Sequence, residues 1–180
     1  MAAAYLVTPS SGSYLTRHAT LVDGVLADIS ARLALPASFC LAAVGGYGRG
    51  ELFPGSDVDV LLLLPRDPTA EQQATLERWV QACWDVGLEI GHSVRTVEAC
   101  ITEADADITV ETNLLEARFV WGDTDLFDAF GRRFQTRFVP TRRLSARADE
   151  FEPPAGVFVI AAWAGVRLRG SQVRAAASAR

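Results

Sequence analysis

The pattern of apolar positions along this 180-residue chain separates helices from strands. Apolar residues three or four positions apart predict amphipathic helices, whereas short apolar runs and strict alternation predict strands. The predicted elements are helices over 13–35, 68–84, 96–102, 106–119 and 124–138 and strands over 39–44, 57–64 and 88–95. This order, α-β-β-α-β-α-α-α, favours the α+β class, with a small mixed β-sheet flanked by helices.

The pattern weakens after residue 139. Residues 140–180 begin with a polar stretch that contains prolines, continue with a short apolar run, and end in an alanine-rich segment. We therefore predict one domain over 1–139, followed by a poorly specified tail over 140–180.

Charge and cysteine usage narrow the classes of function. Residues 1–139 carry a net charge of −9, residues 140–180 carry +4, and the chain contains no lysine. An acidic body argues against binding to long nucleic acid, which needs a basic surface.

No apolar run approaches the ~20 residues of a membrane span, and the chain does not open with a signal peptide pattern. The three cysteines lack metal-site spacing, so we expect buried free thiols in a cytoplasmic protein.

Two aspartates stand at the start of the most apolar predicted strand. Asp57 and Asp59 are two residues apart, so on a strand both side chains point to the same face. Two like charges side by side repel each other and raise each other's affinity for protons. A bound cation would relieve that repulsion, and Mg²⁺ binds through one or two carboxylates together with substrate phosphates. The plain alternative is a strand that simply begins at a polar edge.

A glycine-rich loop precedes this strand. Gly45, Gly46, Gly48 and Gly50 allow backbone amides to approach a ligand closely, and Arg49 adds a forked donor suited to phosphate oxygens. The spacing matches neither of the two common phosphate-loop motifs, and a tight turn would explain the glycines taken alone. Together with the aspartate pair, however, the loop favours phosphoryl or nucleotidyl transfer.

Three blocks of sequence carry a resemblance to a known family. They read GGYGRGEL…SDVD, WDVGLEIGHSVRTVEAC and DITVETNLLEARFVWGD, in that order. The first block resembles the signature of the DNA polymerase β-type nucleotidyltransferases, in which a glycine pair is followed by a strand with Asp-x-Asp. Taken together, the blocks resemble the N-terminal domain of the bifunctional uridylyltransferase/uridylyl-removing enzymes, which modify the PII nitrogen-signalling protein. The resemblance covers about residues 18–139.

This resemblance implies a fold and a set of roles. It implies the polymerase β-type nucleotidyltransferase fold, with two Mg²⁺ ions held by the aspartate pair, Asp57 and Asp59. Gly45 and Gly46 would lie against the nucleoside triphosphate. The remaining residues expected near the triphosphate are Gly48, Arg49 and Ser56.

Glu89 and His92 on the third predicted strand each allow a catalytic and a structural interpretation. Members of this superfamily usually carry a third carboxylate on a neighbouring strand, and Glu89 is the candidate because it shares a strand face with Gly91. An exposed glutamate at a strand edge is the alternative. His92 falls on the apolar side with Ile90 and Val94, so we predict a core histidine rather than a catalytic base.

The implied reaction is transfer of UMP from UTP to a protein hydroxyl, such as a tyrosine of a PII-type protein, with release of pyrophosphate. Adenylyl or other nucleotidyl transfer to another acceptor is an alternative, and a catalytically silent nucleotide-binding fragment is another. The chain contains only two histidines and no His-Asp pair, so the resemblance does not extend to the family's uridylyl-removing domain.

Overall fold

Six helices and four strands build residues 11–138, the part of the chain that the computed structural model describes. In chain order they are α1 (Ser11–Arg32), β1 (Cys40–Ala43), α2 (Gly45–Gly48), β2 (Val58–Leu64), α3 (Ala70–Asp85), β3 (Ile90–Thr96), α4 (Val97–Ala106), α5 (Ile108–Leu115), β4 (Arg118–Gly122) and α6 (Thr124–Phe138). The predicted tail over 140–180 and the domain boundary before it lie outside the described residues.

The four strands form one mixed sheet in the order β3-β2-β1-β4. Strand β1 is antiparallel to both β2 and β4, whereas β2 and β3 are parallel. A parallel pair needs a long crossover connection, and α3 supplies it between β2 and β3. The predicted α+β class, with a small mixed sheet flanked by helices, is confirmed.

The two long helices on one face of the sheet follow their sequence signals closely. In α1 the buried positions include Val22, Leu26 and Ile29, which recur at helical spacing. Helix α3 begins with a capping box in which the Thr69 side chain accepts from the Gln72 backbone while the Gln72 side chain accepts from the Thr69 backbone. These reciprocal bonds satisfy backbone donors that the first helical turn leaves unpaired.

Strand β2 is buried on both faces and therefore reads as a continuous apolar run. Leu62 and Leu64 pack into a hydrophobic cluster with α1 and α3. Leu61 and Leu63 pack into a second cluster with α4, α5 and α6. By alternation Asp59 shares the face of this second cluster, but it stands at the start of the strand and is exposed.

The predicted helix over 106–119 is wrong beyond residue 115. Helix α5 ends at Leu115, and Arg118–Gly122 is strand β4. The strand forms because β1 offers it an antiparallel partner far away in the chain, which local periodicity does not reveal. Gly122 permits this pairing because a β carbon there would overlap the carbonyl oxygen of Phe39.

The prediction of a core histidine is also wrong. His92 lies on the same side of β3 as Ile90 and Val94, yet it is exposed. The reason is that β3 is an edge strand of the sheet, so cover by neighbouring elements is incomplete there. In the part of the chain that the structure describes, no helix combines the length and apolarity needed to cross a membrane.

Candidate active site

The glycine loop starts as a single helical turn directly after β1. Gly45 opens this turn with φ +57°, a left-handed conformation that favours glycine. The backbone of Arg49 then donates to the Gly45 carbonyl at 3.1 Å, and that of Glu51 donates to the Gly46 carbonyl at 2.9 Å. The backbone of Val44 donates to the Asp59 carbonyl at 3.0 Å. The sheet therefore fixes the start of the loop beside the second aspartate.

The carboxylate of Asp59 lies among small residues from three different elements. Asp59 stands opposite Gly91 in the parallel register of β2 and β3. A β carbon at Gly91 would lie 2.4 Å from Asp59 Oδ1, so glycine leaves room for the carboxylate where it stands, and a larger residue would displace it. On the other side, Asp59 Oδ2 and Asn113 Oδ1 lie 3.7 and 3.6 Å from the place where a β carbon at Gly45 would sit.

The two aspartates act on each other electrostatically. The pKa of Asp59 is raised above its ordinary value, first by desolvation of its carboxylate, which neighbouring residues cover in part, and second by the negative charge of Asp57. Among residues 11–138, neither carboxylate is part of an ion pair. The pair is thus a site of uncompensated negative charge, which a cation would stabilise.

Five of the predicted site residues line one cleft of about 500 Å³, which we call the loop cleft. They are Gly46, Arg49, Ser56, Asp57 and Asp59. The structure thus brings the predicted phosphate donors and the predicted metal ligands to a single concave surface. Their roles as ligands stay predictions.

Gly48 is not among the residues of the loop cleft and has a packing role. It is buried, and a β carbon there would overlap the carbonyl oxygen of Glu116 and lie 3.0 Å from that of Ala43. Because it has no side chain, the loop can pack against the backbone of β1 and of the residue that follows α5. The structure therefore places this glycine behind the cleft rather than facing it.

Arg49 is held by two carboxylates. Its Nη1 donates to Glu116 Oε2 at 2.6 Å and its Nε donates to Glu51 Oε2 at 2.9 Å. These bonds, first that to Glu116, raise the pKa of the arginine. Because the side chain is 37% exposed, its remaining donor capacity is open to the loop cleft.

Glu89, the predicted third carboxylate, lies just before β3. Its backbone carbonyl accepts from Val58 at 2.8 Å, and its side chain is exposed. It is not among the residues that line the loop cleft, and Gly91 occupies the position opposite Asp59. The assignment of Glu89 stays a prediction.

A partly buried network of side chains behind the loop was not predicted from the sequence. The hydroxyl of Tyr47 donates to Asp23 at 2.5 Å, and Arg118 donates two bonds to the same carboxylate at 2.8 and 3.0 Å. Arg118 also donates to the carbonyls of Gly48 and Tyr47 at 3.3 and 3.4 Å. Burial, followed by the bond to Asp23, raises the pKa of Tyr47. The network ties α1 and β4 to the glycine loop and so fixes the shape of the cleft.

A second cavity lies on the other side of Asp59. It has a volume of about 300 Å³ and is bordered by β3 and α5; we call it the strand pocket. The polar residues of its lining are Asp59, His92, Ser93, Arg95 and Asn113. Asn113 is the residue here that no sequence signal indicated, because only the fold brings α5 beside the start of β2.

The residues of both cavities lie in a region of the chain that matches a known family. Residues 35–118 match the family model described as "Nucleotidyltransferase domain". Residues 35–118 are a nucleotidyltransferase domain. This domain contains the glycine loop, both aspartates and the strand pocket, and it reaches Arg118 in the network behind the loop.

The chain also resembles longer curated proteins. It is 66% identical over 150 residues to the "Bifunctional uridylyltransferase/uridylyl-removing enzyme" of Thiobacillus denitrificans, covering 83% of this chain and 18% of that protein. It is 53% identical over 139 residues to the protein of the same name from Cupriavidus pinatubonensis, covering 77% of this chain and 16% of that protein. The chain therefore spans less than a fifth of the length of these relatives. The resemblance inferred from the three sequence blocks is confirmed.

A solved structure described as "Crystal structure of the toxin-antitoxin with AMP-PNP" is also similar to this chain. The TM-score is 0.42 at 11% identity, covering 68% of this chain and 92% of that one. A similarity at that level carries no argument about the chemistry of the nucleotidyltransferase domain.

Proposed function

We propose that the nucleotidyltransferase domain transfers UMP from UTP to a hydroxyl of a PII-type regulatory protein, with release of pyrophosphate. The observation that supports this most directly is the loop cleft, where the glycine loop, Arg49 and Ser56 meet Asp57 and Asp59. The choice of uridylyl transfer and of a PII-type acceptor rests on the resemblance to the uridylyltransferases named above.

Asp57 and Asp59 would hold Mg²⁺, with two ions as in the family. Their fit to this role rests on the raised pKa of Asp59 and on the lack of an ion-pair partner for either carboxylate among the described residues. Residues 11–138 contain no cluster of three or more His, Cys, Asp or Glu that could form a metal site of protein ligands alone. That suits Mg²⁺, which keeps waters and takes ligands from substrate phosphates. Bound there, it would neutralise charge on the triphosphate.

The residues around the aspartates would bind and orient the triphosphate. Gly46 lines the loop cleft, and because it has no side chain a phosphate could approach its backbone closely. Arg49 can turn part of its guanidinium away from Glu51 and Glu116 and towards phosphate oxygens, which it can bind in a forked geometry. The Ser56 hydroxyl offers one further donor. Positioning of this kind supplies much of the rate acceleration in phosphoryl transfer.

We place the reaction in the cytoplasm. Cys40, Cys83 and Cys100 are all free and buried, and burial raises the pKa of each thiol to about 12. Such thiols are unreactive and suit a compartment that keeps cysteines reduced.

The test uses the 180-residue chain with Mg²⁺, a purified PII-type protein and each of the four nucleoside triphosphates labelled at the α-phosphate. We expect label from UTP to appear on the acceptor. Asp59→Asn is expected to lose roughly 100-fold or more of this activity, as is typical when a group that stabilises transition-state charge is removed. Asp67→Asn is the matched control because Asp67 is exposed and lies beyond the other end of β2.

Each other outcome has a defined meaning. Transfer only from ATP or another triphosphate would replace the donor and retain the chemistry. Magnesium-dependent nucleotide binding without any labelled product would show a binding fragment instead of an enzyme. Full activity of Asp59→Asn would refute the assignment of the site.

A further inference from the structure

We propose that the ring of Phe53 binds the nucleobase of the nucleotide by stacking. This inference rests on the function proposed above and specifies which part of the loop cleft binds the base. Phe53 lines the loop cleft and is 57% exposed. The residues proposed to bind the triphosphate and Mg²⁺ line the same cleft, so the phosphates and the base would share one continuous surface.

Phe53 differs from the other exposed apolar residues in its location. Among the described residues, the large apolar side chains that are exposed are Leu21, Phe53, Trp84, Val86 and Ile108. Of these, Phe53 alone lines the loop cleft. The other aromatic residue of the cleft lining, Tyr47, is buried and donates its hydroxyl to Asp23. Single exposed apolar residues are common on protein surfaces, but an aromatic residue in a cleft with convergent polar groups is typical of a ligand site.

A β-turn fixes the backbone directly after Phe53. The backbone of Ser56 donates to the Phe53 carbonyl at 3.1 Å, which closes a turn over residues 53–56. Pro54 has a restricted φ and Gly55 has φ +79°, the combination typical of the two central positions of a type II turn. Because the first and last Cα atoms of a β-turn lie within about 7 Å of each other, Phe53 is held near Ser56 in the wall of the loop cleft.

The residue before Phe53 is anchored as well. Leu52 is 1% exposed and belongs to the hydrophobic cluster that includes residues of α1 and α3. Nδ1 of His18, in α1, donates to the Leu52 carbonyl at 3.0 Å. With a buried residue before it and a closed turn after it, the backbone of Phe53 is ordered before any ligand arrives. Such preorganisation reduces the entropic cost of binding.

The ring of Phe53 has no aromatic or guanidinium partner within residues 11–138. The ring pairs and cation–π contacts of these residues involve other side chains. A base can therefore stack on the ring without displacing an existing contact of this kind. Because every base has a π-face, stacking is tolerant of base identity. Phe53 would add affinity and position the base, whereas selection of uracil would depend on other groups.

Two substitutions at position 53 separate the aromatic ring from its apolar bulk. Phe53→Leu keeps an apolar side chain and removes the aromatic face, whereas Phe53→Tyr keeps the ring. Trp84→Leu is the matched control, because Trp84 is an exposed aromatic residue of α3 that does not line the loop cleft. For each protein the Kd is measured with Mg²⁺ for two ligands. One is a non-reactive α,β-methylene analogue of UTP, and the other is inorganic tripolyphosphate, which has no base.

The two ligands should respond differently to the loss of the ring. Phe53→Leu is expected to raise the Kd of the UTP analogue roughly 5- to 100-fold, as is typical when one base loses its aromatic partner. The Kd of tripolyphosphate should not change, and Phe53→Tyr and Trp84→Leu should bind both ligands as the unaltered chain does. An equal loss for both ligands in Phe53→Leu would overturn the inference, because Phe53 would then support the phosphate-binding loop. An unchanged Kd for the UTP analogue would overturn it too.

Failure of the proposed function can be distinguished from failure of this inference. If the unaltered chain binds the UTP analogue but labels no acceptor, the transfer reaction is refuted, and the Kd values of the position-53 variants still decide whether the base stacks on Phe53. If the unaltered chain transfers label and Phe53→Leu binds the analogue normally, only the stacking inference is refuted. An unaltered chain that binds neither ligand refutes both.

Discussion

Gly91→Ala is expected to disable the domain without unfolding it. Gly91 lies opposite Asp59 on the edge strand of the sheet. A β carbon at position 91 would meet only the Asp59 carboxylate within 4 Å, with Oδ1 at 2.4 Å and the carboxyl carbon at 3.6 Å. Because these atoms are the end of a side chain that can rotate, the backbone need not move, and the carboxylate must.

The size of the displacement follows from the contact distances. To reach an ordinary separation of 3.4 Å from the new methyl group, Oδ1 must retreat by about 1 Å. A misplacement of about 1 Å in a catalytic group can reduce the rate roughly 100-fold. Alanine has less backbone freedom than glycine in the unfolded chain, which stabilises the fold, whereas displacement of the carboxylate destabilises the fold slightly. Because these two effects oppose each other, the free energy of unfolding should change by less than about 1 kcal/mol.

The assay compares Gly91→Ala with Gly24→Ala. Gly24 lies in α1, and a β carbon there meets nothing within 4 Å. Turnover is measured as label transferred from UTP, and stability is measured by urea denaturation. We expect a loss of turnover in Gly91→Ala alone, with similar urea midpoints for both variants. Equal turnover in the two variants would refute the reasoning, and a collapse of the urea midpoint in Gly91→Ala would show that the glycine serves packing instead.

Three further predictions concern stability. Asp23→Ala is expected to cost about 1–3 kcal/mol of unfolding free energy, because the Tyr47 hydroxyl and a half-buried guanidinium lose their acceptor; an unchanged urea midpoint would contradict this. Ser30→Ala should cost a similar amount, roughly 1–3 kcal/mol, since the fully buried indole of Trp79 donates to the Ser30 hydroxyl at 2.9 Å; denaturation of the variant decides it. The folded-state pKa of Asp59 lies above its ordinary 3.8, so its contribution to stability is complete below that pH and is lost as the pH rises through the raised pKa. The free energy of unfolding is measured with a chelator at pH values from below 3.8 to above the raised pKa. It should decline with rising pH more in the unaltered chain than in Asp59→Asn. An identical decline in both proteins would exclude Asp59 as its source.

The predictable parts of the fold are those with a strong local period. The core-facing positions of α1 and α3 recur every three or four residues, and β2 is a continuous apolar run because both of its faces are buried. Strand β4 was missed because its side chains are all half-buried and its partner β1 is distant in the chain. The sequence pattern there carries no signal that separates an edge strand from the end of a helix.

The candidate site likewise combines residues that the sequence predicts with residues that only the fold brings together. Asp57, Asp59 and the glycine loop could be predicted, since they lie within 15 residues and their types suggest phosphate and metal binding. Asn113 could not, because it reaches the site only through the packing of α5 against the start of β2. The contact of Asp23 with Arg118 likewise joins residues 95 positions apart, and neither residue type indicates its partner.

The glycines of the site show why composition alone was ambiguous. The sequence presents the loop glycines as one signal, but the structure requires the glycines around the aspartates for different physical reasons. Gly45 adopts a left-handed backbone conformation, Gly48 lets the loop pack on the backbone of β1 and of the residue that follows α5, and Gly91 leaves space for the Asp59 carboxylate. Only the last of these is outside the loop, and it acts on the reacting region through a side chain on another strand. A tight turn is therefore an adequate explanation for Gly45 and cannot explain Gly91, where the space that glycine leaves is filled by a carboxylate whose charge the fold does not neutralise.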